Sequence, residues 1–256
     1  MLIAPPSPSW WLALPLLSFV LLGALEAWRP LRRGRPDAAD WLLNGSGLLM
    51  QGAAIPLAAL GLGGALAQWL PGWNGLLPGA ASAFLLNFVA LDLLYYLQHR
   101  WFHAGGWVLH RAHHGARRLG AWTSARNSLA AHPLFVYFLP SVLLALLCAD
   151  KAAWLAGAML TASLDLWRHS AIRWPAGWAR AGRWATVLLV TPAVHHLHHA
   201  AGAPRCNFGA NLTLWDRLFG SYRAPDGYPA EYGVAAEQPA WAQLLIPWRG
   251  RDASRT

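Results

Sequence analysis

The chain has 256 residues, 56% hydrophobic and only 12% charged, with a mean hydropathy of +0.29 and 17 Trp. An average soluble domain is about 25% charged, so this composition excludes an ordinary soluble globule and points to a membrane protein. The apolar excess excludes intrinsic disorder, and a content of two cysteines, Cys148 and Cys206, excludes a disulfide scaffold.

Twenty Lys and Arg against eleven acids give a net charge of +9. Because the basic residues interrupt apolar runs, they read as cytoplasmic loops facing anionic lipid rather than as a nucleic-acid surface. Trp10 to Trp28 is long enough for a retained membrane helix, with Pro15 inside it and Glu26 near its end. It has no basic leader of the signal-peptide kind. Arg29 to Arg35 holds four arginines in seven residues and is expected on the cytoplasmic side. Trp41 to about Leu62 is a second apolar stretch, and the following run to Pro78 carries no charge, which suits the opposite side.

Ala80 to Gln98 is a third span, leading into a basic, polar stretch from His99 to Arg126. Pro133 to Cys148 and Ala152 to Trp167 form an apolar hairpin turning at Asp150 and Lys151, each arm shorter than a full span. Ala185 to Val194 reads as a short buried or interfacial helix, and a more polar tail follows Ala200. The expected fold is all-α: a polytopic bundle of about four to five membrane helices with a cytoplasmic, histidine-rich helical cap. Residues 1–40 form an N-terminal helix and basic loop, 41–222 the central membrane domain, and 223–256 a C-terminal tail.

All eleven histidines lie between positions 99 and 199. Three clusters stand out: His99-xxx-His103, His110-xx-His113-His114, and His195-His196-x-His198-His199. Helical residues three or four apart share a face, and imidazole is the commonest metal ligand near neutral pH. Eight imidazoles, His99, His103, His110, His113, His114, His195, His198 and His199, are enough for two metal ions. Between Asp92 and Asp216 the only acids are Asp150 and Asp165, too few for a ferritin-like carboxylate site. No thiolate lies in the clusters, so Cys-rich zinc and iron–sulfur sites are disfavoured. Imidazoles alone suit Zn, Cu, Fe or Ni equally.

The order HxxxH, HxxHH, HxxHH resembles the integral-membrane fatty acid hydroxylase and sterol desaturase superfamily. Asp92 and Tyr96 before His99, Arg126 and His132-Pro133 after the second cluster, Thr191-Pro192 before the third, and Asn207-Phe208-Gly209 with Trp215 to Gly220 at the close extend the resemblance over roughly 40–222. His169 resembles a further family histidine, although the Asn often found after it is Ser170 here.

The resemblance implies two iron ions, O2 as cosubstrate, and attack on an unactivated C–H bond of a membrane lipid, giving an alcohol or, alternatively, an alkene. His169 joins the eight as a ninth candidate ligand. Asp92, seven residues before His99, and Asp165, four before His169, are placed to hydrogen-bond a ligating imidazole, with a helix-packing polar contact as the alternative for Asp92. His132 is expected to support the site by hydrogen bonding, and His196 to lie either beside the ligands or in solvent. Asp216 is expected to cap a turn or pair with an arginine. Arg100, Arg111, Arg117 and Arg118 suit a lipid headgroup, an acidic electron donor, or the ordinary cytoplasmic bias. No flavin, cytochrome or dinucleotide motif is evident, so electrons are expected from a separate ferredoxin- or cytochrome-type donor, in a bacterial inner membrane with the histidines on the cytoplasmic face. A His-rich metal transporter is the alternative from another class, disfavoured because its ligands belong near the bilayer midplane.

Overall fold

The computed structural model describes residues 10–249 other than 203, 236 and 237. The outermost parts of the expected terminal segments, 1–9 and 250–256, lie outside the described residues. Among the described residues the regular structure is helical, with isolated β-bridges and no strand.

Helix α1 (Leu14–Trp28) has Pro15 in its first turn, where the missing N–H is an orphan in any helix. Helix α2 (Ala38–Leu49) starts on a capping box: the Asp37 side chain accepts from the Asp40 N–H while the Asp40 carboxylate accepts from the Asp37 N–H. A π-turn (Met50–Ala54) joins it without a break to α3 (Ile55–Trp69), making one apolar helix of 32 residues, Ala38–Trp69. It runs beyond the expected end near Leu62 through Gly61, Gly63 and Gly64. Glycine weakens a helix in water, but in lipid a backbone that leaves the helix has no other hydrogen-bond partners. At 1.5 Å per residue the rod is about 48 Å long, more than the ~30 Å hydrocarbon core, so its first turns are free to serve the arginine-rich end.

Helix α4 (Ala80–Leu85), a second π-turn (Leu86–Ala90) and α5 (Leu91–Phe102) again form one rod. Helix α6 is Trp107–His114, α7 is Leu139–Leu147 and α8 is Lys151–His169. Among the described residues three helices are long and apolar enough to cross a membrane: Trp11–Trp28, Ala38–Trp69 and Ala80–Phe102. The expected hairpin is present as α7 and α8, but neither arm joins that group; α8 is interrupted by Lys151, Asp165 and Arg168 and packs between α1 and α4. Gly157 of α8 lies against Asn87, where an added Cβ would stand 3.0 Å from the amide oxygen.

Helix α9 is Ala176–Ala185, followed by α10 (Pro192–His198), α11 (Leu214–Leu218) and α12 (Ala240–Leu245). The helix expected over Ala185–Val194 is not formed. The chain there turns, and the Leu188 carbonyl accepts from Thr213 while the Val190 N–H donates to Asn211. Thr191-Pro192 then starts α10 instead, since proline suits a first helical turn and not an interior.

The arginine-bearing segments meet at one end of the molecule. Leu31 N–H donates to the Ala171 carbonyl, Arg173 N–H to the Arg29 carbonyl, and the Arg118 guanidinium bonds the Arg35 carbonyl. At the other end the uncharged linker meets the hairpin turn, with Gly75 and Leu77 N–H groups donating to the Leu146 and Leu147 carbonyls. The main apolar core (Leu91, Tyr95, Phe102, Phe135, Val136, Trp154) lies between α5, the 131–136 segment and α8, directly beneath the histidines.

Candidate metal centre

Each helix that delivers histidines is fixed by a polar contact within the protein. On α5, the Asp92 carboxylate accepts from the N–H groups of Asn211 and Leu212 and from Trp215 Nε1, at 2.8, 3.1 and 2.9 Å. Asp92 therefore does not hydrogen-bond a histidine as expected; it ties the segment after the third cluster to the helix bearing the first. Two successive buried backbone N–H groups are stronger claimants on a buried carboxylate than an imidazole two turns away. Asp216 does cap a turn, accepting from Phe208 N, Gly209 N and Ser221 Oγ at 2.7 Å each.

The protein brings nine histidines into two groups. His99, His103, His110, His114 and His198 form one; His113, His169, His195 and His199 form the other; within each group the ligand atoms lie within 4.8 Å of one another, and all nine residues are buried. The groups adjoin, with His114 stacked on His199 at a ring separation of 4.2 Å. HxxHH separates its members because adjacent residues diverge by about 100° around a helix: His113 and His114 fall into different groups, as do His198 and His199.

Backbone carbonyls set the tautomers. Nδ1 of His99, His113, His169 and His198 lies 2.8, 3.0, 2.8 and 2.7 Å from the carbonyls of Phe208, Arg126, Asp165 and Cys206. A carbonyl only accepts, so each Nδ1 carries the proton and each Nε2 presents a bare lone pair to the interior. His113 and His169 then face each other Nε2 to Nε2 at 3.4 Å, two lone pairs with no proton between them. His169 and His195 approach at 2.9 Å, His195 and His199 at 3.1 Å, and His99 and His110 at 2.9 Å. Nε2 of His103, His114 and His198 is buried without a hydrogen-bond partner among the described residues. Facing lone pairs repel, and buried unpaired nitrogens are costly; a cation in each group relieves both. The residues present thus fit two metal ions.

Burial favours the neutral form of five of these rings, His110, His114, His195, His198 and His199. It pushes His110, His114, His195 and His199 well below the usual imidazole range, with neighbouring histidines adding to the effect, and lowers His198 to about 4. Neutral imidazole is the form that binds a metal.

The other expected site residues separate. Asp165 is at the site: its carboxylate lies 3.2 Å from His169 Nδ1 and 2.5 Å from Arg168. His196 is buried, not in solvent, and both its nitrogens are engaged: Nε2–H donates to the His169 carbonyl at 3.2 Å, and Nδ1 accepts from the Tyr232 hydroxyl at 2.7 Å. His132 is buried in a 3₁₀ turn (His132–Leu134), outside both groups, and its Nε2 has no partner among the described residues. The expected supporting hydrogen bond is not seen at that atom.

Several supports escape a reading by motif. Glu26, at the end of α1, accepts from Ala121 and Ala171 N–H groups at 2.9 and 2.8 Å and so joins the loops after the second cluster and after His169. Asp40 on α2 pairs with Arg126 at 3.0 Å and Arg118 at 3.3 Å, and Arg126 Nε donates to the Ala112 carbonyl between the histidines of α6. The one sequence signal for Glu26 is a lone carboxylate in an apolar span, a feature that is costly unless partnered. The tail closes over the outside: Gly233 N–H donates to the His199 carbonyl and Val234 N–H to the His114 carbonyl. Gly233 has φ +86° and its position would set a Cβ 2.8 Å from the Ala116 carbonyl, so glycine is required there.

Comparison with known proteins agrees with this geometry. A fatty acid hydroxylase family model matches residues 84–221. An ornithine lipid hydroxylase, OlsE, of Rhizobium tropici is 28% identical over 149 residues, covering 57% of the chain and 43% of that relative. The chain therefore spans less than half the length of this curated relative. No solved structure matches the chain.

Proposed function

Because the chain belongs to the fatty acid hydroxylase family, we propose that it hydroxylates a membrane lipid at an unactivated C–H bond, using two iron ions and O2, with electrons from a separate ferredoxin- or cytochrome-type donor. The observation that carries this reading is the pair of buried, imidazole-only groups, five histidines in one and four in the other. The name of the similar Rhizobium tropici protein supports a lipid as substrate.

Iron held by these nitrogens would activate O2, one oxygen atom going to the alcohol and the other, with two electrons from the donor and two protons, to water. The chain's own residues do the rest. His99, His103, His110, His114 and His198 would hold one ion, and His113, His169, His195 and His199 the other. The carbonyls of Phe208, Arg126, Asp165 and Cys206 hold four of the rings with Nε2 inward, so little reorganisation is needed on loading. With no carboxylate or thiolate in either group, the ligands add no negative charge, and the ions stay cationic. The strap at Gly233 and Val234 and the core beneath α5 keep water from the centre. The apolar rods beside the histidines suit a substrate that arrives from a bilayer, with the arginine-rich end on the cytoplasmic side of a bacterial inner membrane. In the proposed layout 1–40 is an N-terminal membrane helix and basic loop, 41–222 the catalytic membrane domain and 223–256 a C-terminal tail.

Lipids extracted from cells expressing either the native chain or His113→Ala, grown under isotopically labelled O2, test the reading. A lipid gaining one labelled oxygen with the native chain alone is expected, and it names the substrate. A lipid lacking two hydrogens and carrying no label would make the enzyme a desaturase. Purified native protein without bound iron would overturn the metal assignment.

A further inference from the structure

Helix α9 has an apolar face that stays largely exposed among the described residues. Trp178 and Trp184 are 69% and 76% exposed, and Val187 and Leu188 just beyond the helix are 63% and 60% exposed. At 100° per residue, Trp178, Ala181, Trp184 and Ala185 share an arc of about 120°, while Arg183 lies on the opposite side and Arg180 borders the arc, about 40° from Trp184. The charge is one-sided along the chain as well: from Arg168 to Trp215 there are five arginines and no acidic residue.

The helix starts at a defined level. Arg173 N–H donates to the Arg29 carbonyl, one residue past Trp28, the end of the first candidate span. Trp174 packs against the cluster of Leu22, Ala121, Leu166 and Ile172, and it stacks on Trp178 at 6.1 Å. Thus α9 leaves the bundle where a membrane helix leaves the hydrocarbon, with tryptophan and arginine side chains suited to the headgroup level. A short helix with tryptophans on one face and arginines at the edge of that face and across from it suits an interface plane.

We propose that α9 is an interfacial anchor that seats on an anionic lipid leaflet and holds the third histidine cluster at the membrane surface. The apolar face enters the acyl boundary, and Arg173, Arg180 and Arg183 meet lipid phosphates. The anchor is linked mechanically to the site: beyond it, Leu188 and Val190 pair with Thr213 and Asn211, and Asn211 is held by Asp92. The proposal rests on the chain being a membrane protein and not on the reaction it performs.

The test is spin-label depth in the full chain reconstituted in nanodiscs of phosphatidylcholine alone or with phosphatidylglycerol. A nitroxide on Ala181→Cys is usable because native Cys148 and Cys206 are buried. In anionic discs the label is expected to collide with O2 and to be shielded from a water-soluble nickel chelate. Arg180→Gln with Arg183→Gln should lower the seated-to-unseated ratio roughly fivefold per arginine, the equivalent of about 1 kcal/mol each near an anionic surface. Arg180→Lys with Arg183→Lys should restore it. A label equally open to the nickel chelate in both kinds of disc, or one equally deep in both, overturns the proposal. This comparison uses the native arginines and decides the matter even if the charge variants fail to fold.

Discussion

At the scale of single residues, the division of labour among the histidines follows from which nitrogen is free. His196 spends both nitrogens on Tyr232 and His169, so it has no lone pair for a metal, although it stands inside the third cluster. His113 spends Nδ1 on the Arg126 carbonyl and turns Nε2 inward. His113→Ala is therefore expected to lose one of two metal equivalents, that of the four-histidine group, because a three-imidazole remnant binds more weakly. His132→Ala is expected to keep both, since His132 belongs to neither group. Elemental analysis of the purified variants reads this directly; loss of an equivalent from His132→Ala would make that residue a ligand.

At the scale of elements, the histidine-bearing helices are short and gain their positions from partners distant in sequence. Helix α6 has eight residues and α10 seven, below the length at which an isolated helix is stable in water. Helix α10 is placed by a chain of contacts: the segment after it is pinned to Asp92 on α5, and its own His196 by Tyr232 from the tail. Asp92→Asn keeps the shape but replaces one acceptor oxygen with a donor, leaving either the Asn211 N–H, or both the Leu212 N–H and the Trp215 indole N–H, without a partner. A buried donor left unpaired costs about 1–3 kcal/mol. The expected result is a lower unfolding midpoint in detergent together with weaker binding of both metals, since the third cluster supplies His198 to one group and His195 and His199 to the other. An unchanged midpoint would mean that Asp92 is dispensable for the closing segment.

At the scale of the whole molecule, so many neutral imidazoles in one interior make stability depend on pH. An unfolded histidine titrates near 6.5, whereas His198 is lowered to about 4 and His196 to about 3. As pH falls below about 6.5 the unfolded chain takes up protons that the folded chain refuses, so the linkage disfavours the fold. The contribution is complete above 6.5 and is eroded progressively down to about 4 and then 3. The chelator-treated protein should lose thermal stability steadily over that window, and metal should be released in the same range because protons compete for the ligands. A flat midpoint between pH 7 and 5 would show that the rings are solvated in the metal-free protein.

The sequence by itself determined the family of this protein, its imidazole clusters and its apolar helices. Histidine spacing on helices is local geometry, so the three clusters and their helical placement were legible, as were the apolar rods and the arginine-rich loops that meet at one end. Element ends were less legible: the second rod ran on to Trp69 because lipid enforces internal hydrogen bonds on glycine, and the expected helix over Ala185–Val194 gave way to pairing with residues 211–213, a long-range contact no local pattern reports. The assignment of histidines to groups was decided by tertiary structure alone. Neighbours such as His113 and His114 diverge, and which partners they meet depends on how α5, α6, α8 and α10 cross. The same holds for Glu26, Asp40, Asp92 and Tyr232. Each completes a hydrogen bond to a chain segment that lies far off in sequence, and a buried polar group reveals its purpose only when that partner is in place.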